Sequence, residues 1–132
     1  MGDNQAEKPR KESIAFFEKA IPRHDKVVQL KKLEEQVYEI TRLTGGKVVV
    51  YLTNLYTVGL ADYYDIRERH PEVNCIVTIS NWNSYTRQAK EQANSDHFGL
   101  FVFEEFMGAL NVEQQWKYVK KDSKGKPESF WR

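Results

Sequence analysis

Large apolar residues between positions 25 and 44 recur every three or four residues, which is the spacing of one face of an α-helix. They are Val27, Leu30, Leu33, Val37, Ile40 and Leu43. A glycine pair then supplies a C-terminal cap and turn. The pattern predicts a long amphipathic helix over residues 25–44. A shorter helix over residues 14–20, capped by Ser13 and ended by Pro22, is predicted before it.

Farther along the chain, continuous apolar runs alternate with helical patterns. The runs, rich in β-branched and aromatic residues, predict buried strands at residues 47–53, 74–80 and 99–103. The helical patterns follow at residues 60–69, 84–93 and 104–110. Such alternation is typical of a parallel sheet with right-handed crossovers. We therefore predict the α/β class: a small three-layer α/β/α domain with a short, mainly parallel sheet of three core strands, N-terminal helices and room for a C-terminal hairpin.

Charge and composition divide the chain into three parts. Residues 1–12 are polar and predict a disordered tail, and residues 13–112 form the single α/β domain. Residues 113–132 form a basic, aromatic segment that packs on the domain or on a partner. Its last sixteen residues hold six basic and two acidic side chains, although the whole chain carries a net charge of only +1. The lysines of this basic tail are Lys117, Lys120, Lys121, Lys124 and Lys126.

Composition also excludes several classes of protein. A single Cys cannot form an internal disulfide, and no apolar run approaches the roughly 20 residues that span a bilayer. The N-terminus lacks the apolar region of a secretory signal. We therefore expect a cytoplasmic, soluble protein with no membrane partner.

Polar and aromatic residues gather where the predicted parallel strands end, and ligands of open parallel sheets bind at such ends. The candidate ligand-binding residues are Asn54, Tyr56, Asn81, Trp82, Asn83, Ser84, Tyr85, Arg87 and Lys90. Trp82 or Tyr85 can stack on a base and Arg87 can bind a phosphate. The alternative is structural: the amides and hydroxyls satisfy a turn and a helix cap, and the two aromatic residues cover the core.

No standard catalytic or metal-binding spacing is present in the sequence. His24, His70 and His97 lie far apart, without HxxH, HExxH or Cys–His spacing. His70, just before Pro71, is typical of a helix end, and Cys75 begins a buried strand as a small hydrophobic residue. We therefore expect no catalytic residues, no metal and no cofactor.

Residues 75–110 combine a strand ending in Ile76–Val77–Thr78, a polar turn at residues 81–84, a helix with Ala89 and Ala93 four positions apart, and a second strand with a short helix at 99–106. This order resembles the C-terminal half of the Mrr-type restriction endonuclease-like domain. The match covers about a quarter of the chain.

The resemblance implies an Asp on one strand and a Glu- or Gln-x-Lys on the next, which together hold and use Mg²⁺. Here Tyr51 and Thr53 occupy the Glu/Gln and Lys positions, and no Asp-bearing strand is predicted before them. The resemblance therefore implies an inactive relative of this family.

Three hypotheses about function remain open. The first is a non-catalytic binding module that uses the strand ends, with nucleic acid or a protein as partner. The second is a self-assembling accessory protein, a homodimer through the 25–44 helix or the C-terminal segment. The third is an enzyme that acts on a nucleotide or a small phosphorylated ligand at the same strand ends.

Overall fold

A computed structural model describes residues 7–128 and 130–131. Its strands are β1 (Val27–Glu34), β2 (Val37–Arg42), β3 (Lys47–Thr53), β4 (Thr57–Val58), β5 (Cys75–Thr78), β6 (Ser84–Tyr85) and β7 (Gly99–Val102). Its helices are α1 (Lys11–Ala20), α2 (Leu60–Arg69), α3 (Arg87–Ser95) and α4 (Phe103–Ala109). Short 3-10 helices lie at Ile21–Arg23 and Gln115–Lys117.

Five strands form one mixed sheet in the order β1-β2-β3-β5-β7, and β4 pairs with β6 separately. Strands β1, β2 and β3 are antiparallel neighbours, whereas β3, β5 and β7 are parallel. The α/β class is thus confirmed, and β3, β5 and β7 lie within the three predicted runs. The sheet differs from the predicted one because it has five strands and is mixed rather than mainly parallel.

The prediction of a helix over residues 25–44 was wrong, because β1 and β2 occupy this segment. Gln36, with a positive φ of 69°, turns the chain between β1 and β2, and Tyr38 then pairs with Val50 of β3. In β2 the buried Tyr38 and Ile40 alternate with the less buried Glu39. β1 is an exposed edge strand, so its apolar residues do not have to follow a strict period of two. A dimer interface on a 25–44 helix is therefore excluded, because that helix does not form.

Each face of the sheet packs against a different pair of helices. Phe17 of α1 and Phe106 of α4 join a core with sheet residues such as Val50. Tyr63 of α2 and Ala89 of α3 join a second core on the other side. Side chains alternate in direction along a strand, so neighbouring residues of β3 and β5 contribute to opposite cores. Both sides of these central strands are thereby shielded from water.

Two helices begin three residues away from their predicted starts, and α4 begins one residue early, at Phe103. The first starts at Lys11 rather than at Ile14, and Arg10 is its N-cap residue, so Ser13 lies inside the helix. The third starts at Arg87, where the Thr86 hydroxyl accepts a hydrogen bond from the Ala89 amide at 3.1 Å. Ser84 and Tyr85, which were predicted to begin this helix, form β6 instead because they pair with β4.

Both ends of the described chain pack on the domain. The first half of the N-terminal tail predicted over residues 1–12, residues 1–6, lies outside the described residues, whereas Glu7 is buried. In the predicted C-terminal hairpin region, one antiparallel bridge joins Lys121 to Pro127. Trp131 forms a parallel bridge with Tyr85, so the basic segment folds back onto β6. None of the helices described is both long and apolar enough to cross a membrane.

Candidate functional site

A cleft of about 740 Å³ opens beyond the carboxyl ends of β5 and β7. Asn81, Trp82 and Asn83 line one side of it, directly after β5. The other walls come from the first turns of α1, the start of α4 and Phe130 of the C-terminal segment. Three of the nine predicted ligand-binding residues therefore lie in a real concavity, and the remaining walls come from segments distant in sequence.

Hydrogen bonds between side chains join the loops that follow β3 and β5. The Asn83 amide donates to Asn54 Oδ1 and to Thr78 Oγ1, each at 3.0 Å. The Ser80 hydroxyl also donates to Asn54 Oδ1, and Thr78 donates to the Leu55 carbonyl at 2.7 Å. The Asn54 and Asn83 side chains thus bond to each other and to the Ser80 and Thr78 hydroxyls. Their amides hold the cleft wall in place.

Aromatic side chains make up much of the cleft and its rim. Trp82 is 80% exposed at the edge of the cleft, whereas Tyr56, in the loop after β3, is 61% exposed but does not line the cleft. Inside, Phe16 and Phe103 meet edge to face with ring centroids 5.0 Å apart. Aromatic faces bordered by amides suit a planar ligand that is stacked and hydrogen-bonded at once.

The charges within the cleft nearly balance. Arg10 contributes one positive group, and Glu12 and Glu104 contribute two negative ones. Glu104 is paired with Lys120, which also lies 3.6 Å from Glu128. The described residues that line the cleft include carboxylates and hydroxyls but no His, Cys or Lys. The lining is therefore a poor match for a phosphate group and better suited to an uncharged ring.

Tyr85 does not face the cleft, although the sequence placed it among the ligand-binding residues. It is 1% exposed, and its hydroxyl donates to Glu105 Oε1 at 2.8 Å. Burial, followed by the nearby Glu105 carboxylate, raises the pKa of the Tyr85 hydroxyl. Its neighbour Ser84 donates to the Phe130 carbonyl and so anchors the C-terminal segment. Stacking of Tyr85 on a base is excluded by this burial.

Lys90 is likewise a core residue, which corrects its prediction as a ligand contact. Its ammonium group donates to the Leu100 carbonyl, lies 3.4 Å from Glu105 Oε2 and sits 4.2 Å from the centroid of the Phe101 ring. Burial lowers the pKa of the Lys90 ammonium, and Glu105 opposes that change. The Lys90 side chain, 15% exposed, is therefore mostly buried and does not line the cleft.

Arg87 and the basic tail remain at the surface. Arg87 lies 2.9 Å from Glu91, one helical turn away, and its guanidinium sits 5.6 Å from the centroid of the Trp131 ring. Arg87 does not line the cleft, so its predicted phosphate contact belongs to a different part of the surface. Four of the five tail lysines are exposed: Lys117, Lys121, Lys124 and Lys126.

A second polar cluster occupies the positions that the family resemblance assigned to catalysis. Tyr51 donates to Glu7 Oε1, and Arg69 Nη2 lies 2.8 Å from the same carboxylate oxygen. Thr53 donates to the Glu7 backbone carbonyl at 3.1 Å. Two strands precede β3 where only a helix was expected, yet neither contains an Asp. Sequence reasoning missed Glu7 because it lies in a polar segment without periodicity.

The Tyr51 cluster is thus an internal ion pair rather than a set of metal-binding carboxylates. The carboxylate of Glu7 is 90% shielded from water and is neutralised by Arg69. Burial raises the pKa of the Tyr51 hydroxyl, and its hydrogen bond to Glu7 raises that pKa further. In comparisons with known proteins, no family model, no curated protein and no solved structure matches this chain.

Proposed function

We propose that this protein is a non-catalytic binding module whose ligand is single-stranded nucleic acid, bound in the cleft at the ends of β5 and β7. The supporting observation is that an exposed aromatic ring, Trp82, lines one side of that cleft between two amides, Asn81 and Asn83. A base would stack on Trp82 and place its polar edge against the Asn81 amide, since the Asn83 amide nitrogen already donates to Asn54 and Thr78. Unpaired bases expose both the ring face and the polar edge, and paired bases do not.

The basic tail supplies the phosphate contacts in this proposal. Phe130 lines the cleft, and the exposed lysines of the tail lie between 4 and 13 residues before it in the chain. The near-neutral cleft binds the base, and the lysines contact the flanking phosphates. Binding then combines an uncharged stacking contact with a salt-sensitive electrostatic one.

The absence of catalysis is part of the proposal. Within the described cleft lining no His, Cys or Lys is present as base or nucleophile. We further propose that the fold is a pared-down, three-layer relative of the restriction endonuclease-like domain. Tyr51 and Thr53 contact Glu7 where that family would need a Glu- or Gln-x-Lys.

Self-assembly is the second candidate function, because large apolar side chains surround the cleft. Phe16 is 54% exposed and Trp82 is 80% exposed, and both line it. Exposed aromatic residues at a concave site are typical of protein interfaces. A second copy of the chain that covers this rim would bury both side chains.

The test is a fluorescence anisotropy titration with labelled single-stranded DNA, single-stranded RNA and double-stranded DNA at low and high salt. We expect saturable binding of the single strands that weakens with salt. Trp82→Ala should lose stacking worth about 1–3 kcal/mol per base, which is roughly a 5- to 150-fold loss of affinity. Tyr64→Ala, an equally drastic change at a 48% exposed tyrosine of α2, is the matched control and should leave the affinity unchanged.

Absence of binding to any single strand at low salt would refute the nucleic-acid proposal. Light scattering on the same samples tests the second candidate. A dimer that Trp82→Ala converts to a monomer would establish self-assembly through the cleft rim. A monomer at every concentration would remove that candidate.

A further inference from the structure

Three metal-ligating side chains from separate parts of the chain meet beside the second core. Glu34 ends β1, His70 immediately follows α2, and Glu72 lies in the loop before β5. One ligand atom from each lies within 4.8 Å of the others. His70 Nδ1 is 3.8 Å from Glu34 Oε1 and 3.9 Å from Glu72 Oε2.

We infer that these three side chains form a binding site for a divalent transition-metal ion of the Zn²⁺ class. One imidazole and two carboxylates are a donor set that such an ion accepts, with one position left for water. Metal–ligand bonds of about 2.1 Å in tetrahedral geometry place ligand atoms about 3.4 Å apart. The distance from His70 Nδ1 to each carboxylate oxygen therefore has to shorten by only about half an ångström when the ion binds.

The charge in this cluster supports a bound cation. Among the described residues, the ion pairs of Glu34 and Glu72 are with His70 alone. The nearest strong cation in sequence, Arg69, is already bound by Glu7 and Asp65. Two carboxylates held close together repel each other. A divalent ion would neutralise both of them.

The imidazole is held in place from outside the cluster. The His70 side chain is 15% exposed, and its ring packs on Tyr51 with centroids 4.9 Å apart. The Tyr51 hydroxyl is in turn held by Glu7. His70 also follows the C-terminus of α2, where the negative end of the helix dipole favours a cation. The ring is thus already oriented before any ion arrives, which lowers the entropic cost of binding.

Sequence reasoning interpreted His70 only as a helix-end residue because its partners are not arranged in a local motif. Glu72 is two residues away, but Glu34 is brought close only by the β1–β2 hairpin. None of the three residues lines the cleft, so this inference does not depend on the proposed function.

The test is calorimetric titration of the full chain with Zn²⁺ at neutral pH. We expect one ion per chain. Glu34→Gln and Glu72→Gln should each weaken binding by roughly tenfold or more, because even changes outside the ligand shell cost metal affinity 10- to 100-fold. Both side chains are more than two-fifths exposed, so neither variant should unfold the protein. Glu35→Gln makes the same charge change at the neighbouring residue, which pairs with Lys8, and should bind like the wild type.

Histidine NMR signals in the same titration locate the ion. Zn²⁺ should shift the His70 imidazole and leave His24, bonded to the Met107 carbonyl, and His97, stacked on Trp116, unchanged. Absence of measurable binding would overturn the inference. An equal loss in Glu35→Gln, or a shift confined to the other two histidines, would overturn it as well.

Discussion

Replacing Glu105 with Gln tests whether the buried network below the cleft stabilises the fold. Glu105 accepts hydrogen bonds from the Tyr85 hydroxyl at 2.8 Å and from the Val102 amide at 3.3 Å, and lies 3.4 Å from Lys90 Nζ. The Glu105 side chain is 4% exposed and that of Lys90 is 15% exposed. The Gln variant keeps the size and, through its one amide oxygen, the contacts with Tyr85 and Val102. Its NH2 group cannot accept from Lys90, so the ammonium loses both this acceptor and its counter-charge.

The expected cost follows from this burial. Breaking a buried ion pair by removing one charge costs about 3–5 kcal/mol, because the other charge stays desolvated. A domain of this size has a free energy of unfolding of about 5–15 kcal/mol, so a large share of it is lost. With a urea m-value of about 1.5 kcal/mol/M, the midpoint of unfolding should fall by about 2–3 M.

The assay is urea unfolding followed by tryptophan fluorescence, with Glu104→Gln as the matched control. Glu104 is 63% exposed and pairs with Lys120 at the surface, so its substitution should change stability by no more than about 0.5–1 kcal/mol. Adding Lys90→Met to Glu105→Gln removes the unpaired charge and should restore most of the lost stability. Equal midpoints for the two Gln variants, or no recovery in the double variant, would refute the reasoning.

Two further predictions test the hairpin and the buried hydroxyls. Val37→Asp places a carboxylate at a fully buried position of β2 and should lower the free energy of unfolding by at least about 3 kcal/mol. The control, Val28→Asp, changes a 60% exposed position of β1 and should cost about 1 kcal/mol or less. Equal effects of the two variants in urea unfolding would contradict the hairpin. Burial raises the pKa of the Tyr38, Tyr51 and Tyr63 hydroxyls above their ordinary value of 10.0, so only the unfolded chain loses these protons at that pH. Their contribution to stability is complete below pH 10 and is lost as the pH rises, by roughly 1.4 kcal/mol per pH unit and tyrosine. An unfolding midpoint that stays constant to about pH 11 would contradict this.

The sequence predicted those elements whose local pattern and tertiary environment agree. The run Lys47–Thr53 holds five consecutive apolar residues, 48–52, and a central strand covered on both faces requires such a run. Shorter apolar runs lie in Cys75–Thr78 and in Gly99–Val102, which became the parallel part of the sheet. Part of the candidate site followed directly, because the ends of parallel strands meet at one edge whatever the rest of the chain does.

Long-range pairing decided what the local pattern left ambiguous. The spacing of apolar residues between 25 and 44 fits a helix, but pairing of β2 with β3 supplies hydrogen bonds and buries Tyr38 against Phe17. That gain depends on residues far apart in the chain, so no local period reveals it.

Tertiary structure also divided the strand-end residues into exposed and buried ones. Trp82 and Tyr85 look equivalent in sequence, since both are aromatic residues three positions apart beside a predicted helix start. Pairing of β6 with β4 turns Tyr85 inward to Glu105 and leaves Trp82 at the cleft rim. The sequence by itself determined the α/β class and the edge of the sheet where the cleft opens. Only the packing of distant segments decided which side chains reach it, because burial depends on neighbours that adjacent residues do not specify.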